Sequence, residues 1–218
     1  MEKLVHIPVD DVLLEAMLGV PEKAVGIVLF AHGSGSSRKS PRNNFVANEL
    51  RKAGLATLLM DLLTPQEDKD YETRFDIGLL ARRLDGATKW AGSEAKTKKL
   101  RPGYFGASTG AAAALMSAAS AGEAIGAVVS RGGRPDLAMD SLPFVKSPTL
   151  LIIGGDDIPV IEFNRKAYQK IPAQKQLVIV PGATHLFEEP GTLEEVASLA
   201  ASWFTKYLKT LEGQGSSD

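Results

Sequence analysis

No cysteine occurs among the 218 residues. That excludes a disulfide framework, a zinc–cysteine site and a cysteine nucleophile. Charge of one sign is also lacking: 25 Lys and Arg stand against 26 Asp and Glu, a formal net charge of −1. A polybasic nucleic-acid binder driven by overall charge is therefore excluded, though a local basic patch is not. No stretch approaches the ~20 apolar residues needed to span a bilayer. The first residues, Met1-Glu2-Lys3 and then Asp10-Asp11, hold no apolar core of a signal peptide. The sequence thus predicts a soluble, cytoplasmic protein without a membrane partner. What remains is ordinary for a globular chain, with 44% hydrophobic and 23% charged residues. A domain of this size buries roughly 70% of its unfolded surface, so a real core is available.

The order of segments predicts the architecture. Val5, Ile7 and Val9 alternate with polar positions, and after Asp10-Asp11 a second alternating run spans 13–18, so an antiparallel hairpin is expected. Runs 25–30, 55–60, 125–129, 149–153 and 176–180 read as buried strands, with a short strand ending at Tyr104-Phe105. Amphipathic or small-residue helices fall between them, at 45–53, 75–90, 111–120 and 160–169. A last helix opens with Thr192 and Glu195 spaced as a capping box and presents Val196, Leu199, Trp203, Phe204, Tyr207 and Leu211 on one face. The expectation is one α/β domain over 1–212, with a mostly parallel sheet, helices on both faces and a frayed tail over 213–218. Ligands of such sheets bind at the carboxyl ends of the strands.

Chemistry-bearing residues fall in those loops. Gly106-Ala107-Ser108-Thr109-Gly110 reads G-x-S-x-G between a strand and a helix, the context of a nucleophile elbow. Small residues two before and two after the serine let neighbouring chain approach a sharp turn. Of the 3 histidines, His185 follows the last strand and can act as base. His6 lies in the hairpin, and His32 is expected to prop the Gly33–Ser40 loop by hydrogen bonds. Gly154-Gly155-Asp156-Asp157 ends the strand before His185 and offers an orienting carboxylate. One of its two aspartates can instead cap the next helix. The chain order Ser, Asp, His belongs to the α/β-hydrolase arrangement. An oxyanion hole needs two backbone N–H groups. Thr109 supplies one, and Ser34, or failing it Gly35, the other. The Gly33–Ser40 loop also reads like a phosphate cradle, but Arg38 stands where a P-loop needs glycine. Dispersed histidines argue against a metal, and no cofactor is expected.

These motifs, with Pro181-Gly182-Ala183-Thr184-His185, resemble the α/β-hydrolases of the dienelactone hydrolase-like group over about residues 3–211. In that superfamily the acid stands third after the glycine closing its strand, which selects Asp157. The resemblance implies hydrolysis of an ester, lactone or thioester. Two departures matter: dienelactone hydrolases use a cysteine nucleophile, and the 132–146 segment is too short for a cap domain, which implies an open, shallow site. The sequence reading is a serine hydrolase of carboxylesterase type acting on a small acyl substrate, as monomer or homodimer. An acyltransferase with the same triad, or a non-catalytic binding protein on the same fold, are the alternatives. Arg38, Arg42, Arg131 and Arg134 cluster near the predicted site. Either they receive an anionic substrate, with Arg38 and Arg131 placed nearest, or they pair with local acids such as Asp136 and hold loop carbonyls.

Overall fold

The computed structural model describes residues 2–209. The hairpin forms as expected: β1 (Glu2–Val9) pairs antiparallel with β2 (Val12–Gly19), and Asp10 takes φ 52° at the turn. Six further strands follow: β3 (Ile27–Ala31), β4 (Ala56–Met60), β5 (Pro102–Ala107), β6 (Val128–Arg131), β7 (Thr149–Gly154) and β8 (Lys175–Val180). They join one 8-stranded sheet in the order β1-β2-β4-β3-β5-β6-β7-β8. β2 pairs antiparallel with β4, and every pairing from β4 to β8 is parallel.

Five helices cover the sheet: α1 (Pro41–Lys52), α2 (Ile77–Ser93), α3 (Thr109–Ala121), α4 (Ile158–Lys170) and α5 (Thr192–Leu208). One face of the sheet packs Val28, Phe30, Phe105 and Val129 against Val46 and Leu50 of α1 and Val196 and Phe204 of α5. The opposite face packs Leu29, Leu58, Tyr104 and Val128 against Leu80 and Leu84 of α2 and the alanines of α3. Burial on both faces explains why β3 is an unbroken apolar run and why β4 and β7, apart from Thr57 and Thr149, are apolar too. The 132–146 segment forms only two short 3₁₀ turns, Pro135–Ala138 and Leu142–Phe144, so no cap domain covers the sheet. Among the described residues, no helix is long and apolar enough to cross a membrane.

Three local expectations are corrected. β6 starts three residues later than the apolar run and includes Arg131, which was expected to follow it. The capping box of α5 does not form. Gly191, at φ 83°, takes the cap position, and the Thr192 hydroxyl donates backwards to the Glu189 carbonyl at 2.8 Å. The buried face of α5 accordingly runs through Val196, Ala197, Ala200, Trp203, Phe204 and Leu208. Leu211 and the expected 213–218 tail lie outside the described residues.

The strand order reverses between β3 and β5. The connection from β3 runs to β4 on the β1 side, and the connection from β5 runs to β6 on the β8 side. In an open α/β sheet the crevice at such a reversal is where ligands bind. Here it lies between the loop after Ala31 and the turn after Ala107.

Candidate active site

Ser108 occupies that turn with φ 51° and ψ −120°. For a non-glycine residue this is a strained conformation, held only because its surroundings over-determine it. The surroundings are tight. A Cβ placed on Gly106 would lie 2.4 Å from Ala111 Cα, and one on Gly110 would lie 2.1 Å from the Ala31 carbonyl oxygen. One on Gly33 would stand 3.0 Å from Ser108 Cβ, so the loop after β3 lies directly against the serine. The Ser108 carbonyl accepts the amides of Ala111 (3.1 Å) and Arg134 (3.0 Å), which pin the turn. Its side chain projects from the start of α3, where the helix dipole favours developing negative charge.

His185 sits on the loop after β8. Its Nδ1 lies 2.6 Å from Asp157 Oδ2. Asp157 occupies the cap position of α4, yet its side chain makes no capping bond there and turns to the histidine instead. Asp156 is exposed and meets the same loop through its backbone, donating its amide to the Ala183 carbonyl at 3.0 Å. The His185 loop is braced by Glu189, whose carboxylate accepts from the Thr184 hydroxyl (2.6 Å) and amide (3.1 Å). Those bonds hold the Glu189 carboxyl below the usual range. A Cβ on Gly132, at the end of β6, would lie 3.5 Å from the His185 ring. The histidine loop thus packs on the end of β6, the strand that pairs with the serine-bearing β5.

His32 is buried, and it does hold the loop after β3. Nε2 accepts the Leu62 amide at 3.0 Å, and Nδ1 lies 2.9 Å from the Gly33 carbonyl. The neutral tautomer with hydrogen on Nδ1 satisfies both partners. Burial pushes its pKa down. The Ser34 amide donates to Thr109 Oγ1 at 2.9 Å, so it points at the residue directly after Ser108.

The arginines separate by environment. The Arg38 guanidinium pairs with Asp61 and Glu15, and its amide donates to Asp61 at 2.6 Å. Arg134 makes a fork with Asp136 at 2.8 and 2.9 Å. Arg131 is buried and reaches the Leu186 carbonyl at 3.4 Å. Arg42 pairs with Glu188 at 2.7 Å.

Beside Thr109 and residues 32–35 lies a small, shallow depression, completed by Leu63, Asp68, Arg74 and Leu80. Arg74 carries no motif that marks it in sequence. Its Nε and Nη2 donate to the Asp68 carbonyl at 2.8 and 2.5 Å, while Nη1 lies 3.6 Å from a Cβ built on Gly35. Two exposed apolar side chains, Ile158 and Leu186, each directly follow a member of the Asp157–His185 pair.

The strand order, the strained serine after β5 and the acid and histidine after β7 and β8 define an α/β-hydrolase. More narrowly, the chain belongs to the dienelactone hydrolase family, whose model matches residues 14–213. It is 58% identical to a crystal structure of a dienelactone hydrolase from Anabaena variabilis ATCC 29413, with TM-score 0.93, covering 95% of this chain and 98% of that one. Est1E from Butyrivibrio proteoclasticus shares the fold at 16% identity and TM-score 0.78, over 95% of this chain and 99% of its own. Among curated proteins, one from Mycobacterium tuberculosis (strain ATCC 25618 / H37Rv), provisionally named a phosphoribosyl transferase, is 57% identical over 204 residues. That match takes in 94% of this chain and 46% of the relative, so the chain spans about half the length of the curated relatives it matches.

Proposed function

We propose that the protein is a serine hydrolase that cleaves an ester, lactone or thioester of a small acyl compound. The observation that carries the reading is the 2.6 Å Asp157–His185 contact on the loops after β7 and β8, together with a serine held at positive φ in the turn after β5. Ser108 Oγ attacks the carbonyl carbon while His185 Nε2 takes its proton. The same proton then goes to the leaving oxygen or sulfur, and the acyl group stays on Ser108. Water, deprotonated by His185, releases the acid and restores the serine. Asp157 holds the imidazole with Nε2 facing the reaction and stabilises the imidazolium.

The Thr109 amide at the start of α3 and the Ser34 amide form the oxyanion hole. In the resting site the Thr109 hydroxyl occupies the Ser34 amide, and the carbonyl oxygen of the substrate takes its place. Gly35, with Arg74 near it, lines the substrate side. Arg38 is committed to Asp61 and Glu15, which argues for a structural role and removes its main claim on substrate.

The transferase name of the M. tuberculosis relatives belongs to chains about twice as long. The matched portion carries the hydrolase-family signature, so we assign phosphoribosyl transfer no part in this site. The test is labelling with a fluorophosphonate probe, together with turnover of a p-nitrophenyl ester series. The native protein is expected to be labelled and active. Ser108→Ala is expected to lose both, with turnover down by about 10⁶. Full labelling of Ser108→Ala would overturn the assignment.

A further inference from the structure

Two arginines grip the segment that follows His185. Arg131, the last residue of β6, donates Nη1 to the Leu186 carbonyl at 3.4 Å, and its guanidinium carbon lies 5.9 Å from the centre of the Phe187 ring. Arg42, in the first turn of α1, donates Nη1 to Glu188 at 2.7 Å. Each therefore spends Nη1 on the loop. In each, Nε is buried and has no hydrogen-bond partner among the described residues. Nε lies on the edge of the guanidinium shared with Nη2, the edge that grips a carboxylate or phosphate with two parallel hydrogen bonds.

The charge balance points the same way. Arg131 is only 7% exposed and pairs with no carboxylate among the described residues. Burial and the nearby charge of Arg42 pull its pKa down to about 10. Glu188, the acid paired with Arg42, has a side chain that is 60% exposed. A buried guanidinium without an anion is costly, because lost hydration is not replaced. Two cations against one surface carboxylate leave room for a further negative charge.

We propose that Arg131 and Arg42 form an oxyanion-binding site, for a carboxylate or phosphate group, beneath the loop that carries His185. The anion enters past Arg42, whose side chain is 32% exposed, and Glu188. It takes the two free Nε edges and ties α1 and β6 to the loop at Leu186–Glu188. This site requires nothing of Ser108, so its test is independent of the proposed hydrolysis.

The probes are inorganic phosphate and acetate, titrated at constant ionic strength into the intact Ser108→Ala protein and into the native one. The readout is the arginine Nε–H signals in a proton–nitrogen correlation spectrum, with Arg131 assigned by loss of its signal in Arg131→Lys. Saturable shifts of the Arg131 and Arg42 signals are expected in both proteins. Arg42→Gln, a partly exposed position that leaves the core intact, is expected to weaken the midpoint by about tenfold or more, the scale of one charge-assisted hydrogen bond. No saturable shift, or saturation unchanged in both Arg42→Gln and Arg131→Lys, means an adventitious ion only and overturns the proposal. The source of the anion is read separately, from turnover of a neutral ester and its carboxylate-bearing analogue. Phosphate competing only against the charged ester marks a group carried by the substrate, and any other pattern marks a separate effector.

Discussion

The Ser34 amide donates to Thr109 Oγ1 at 2.9 Å, joining residues 75 apart in sequence. The bond ties the loop after β3 to the first turn of α3, on either side of Ser108. Thr109→Val keeps the shape but removes the acceptor. The Ser34 amide then faces a partly buried space unpaired, at a cost of about 1–3 kcal/mol. Thermal or denaturant unfolding should register that loss, with Thr109→Ser restoring it. Turnover should fall less than about tenfold in Thr109→Val, because the Thr109 amide remains. A loss of about 10² or more, the scale of a missing oxyanion donor, would mean that the hydroxyl itself meets the substrate.

Adjacent aspartates give a sharper test of the acid. Asp157 meets His185 Nδ1, whereas the exposed Asp156 bonds the same loop through its amide. Asp157→Asn should lower turnover by about 10⁴ through the wrong imidazole tautomer. Asp156→Asn should stay within a few-fold of the native protein. A reversed ranking in steady-state kinetics would reassign the acid.

The residues alone left both aspartates open; the resemblance to the α/β-hydrolases, counted from the glycine that closes β7, selects Asp157, the one that lies 2.6 Å from His185. The elbow was legible in the residues themselves: its steric demand falls on Gly106 and Gly110, and small residues at fixed spacing leave a visible trace. Buried strands announced themselves through runs such as Ile27–Ala31. Ends of elements were less legible. Ile125–Ala127 continues the apolar run, but Gly126 bonds to the Pro102 carbonyl before the β5–β6 ladder begins at Val128. The Thr192–Glu195 spacing was present, yet Gly191 in the left-handed region set the start of α5. Long-range charge pairing left no local trace. Nothing near Arg38 predicts that Glu15 of β2 and Asp61 after β4 converge on it, nor that the 64–75 segment brings Arg74 to the loop after β3.

His32 predicts a pH dependence of stability. Burial lowers its pKa in the folded protein, and Nε2 must stay unprotonated to accept the Leu62 amide. The folded state therefore binds fewer protons than the unfolded chain once the pH falls below the ordinary histidine value of about 6.5. The stability is fully present above that value and declines as pH drops through it toward the lowered folded pKa. Unfolding midpoints measured from pH about 7.5 to 5.5 should fall, and His32→Gln, which retains an acceptor, should flatten the curve. An imidazole nitrogen spectrum showing folded His32 titrating at or above the ordinary histidine value of about 6.5 would contradict this.

Two glycines in helices should respond to alanine in opposite directions. At Gly92 in α2, a Cβ meets nothing within 4 Å. Alanine there removes the conformational cost of glycine in a helix, a gain of about 0.5–1 kcal/mol. In a domain this large that raises the unfolding midpoint by about 1–4 °C. At Gly110 in α3, the same gain is opposed by backbone, with a Cβ 2.1 Å from the Ala31 carbonyl oxygen and 2.5 Å from that of His32. Neither atom belongs to a side chain that can turn away. Relief requires α3 to move off β3, or the loop that carries Gly33 and Ser34 to shift. Overpacking of this kind costs about 1–3 kcal/mol or more, which outweighs the helix gain. Gly110→Ala should therefore lower the midpoint by several degrees, and the protein that still folds should lose ester turnover more steeply than stability, because the displaced loop carries the Ser34 amide proposed for the oxyanion hole. An unchanged midpoint and turnover in Gly110→Ala would show that α3 and β3 are not in the close contact on which the serine turn depends.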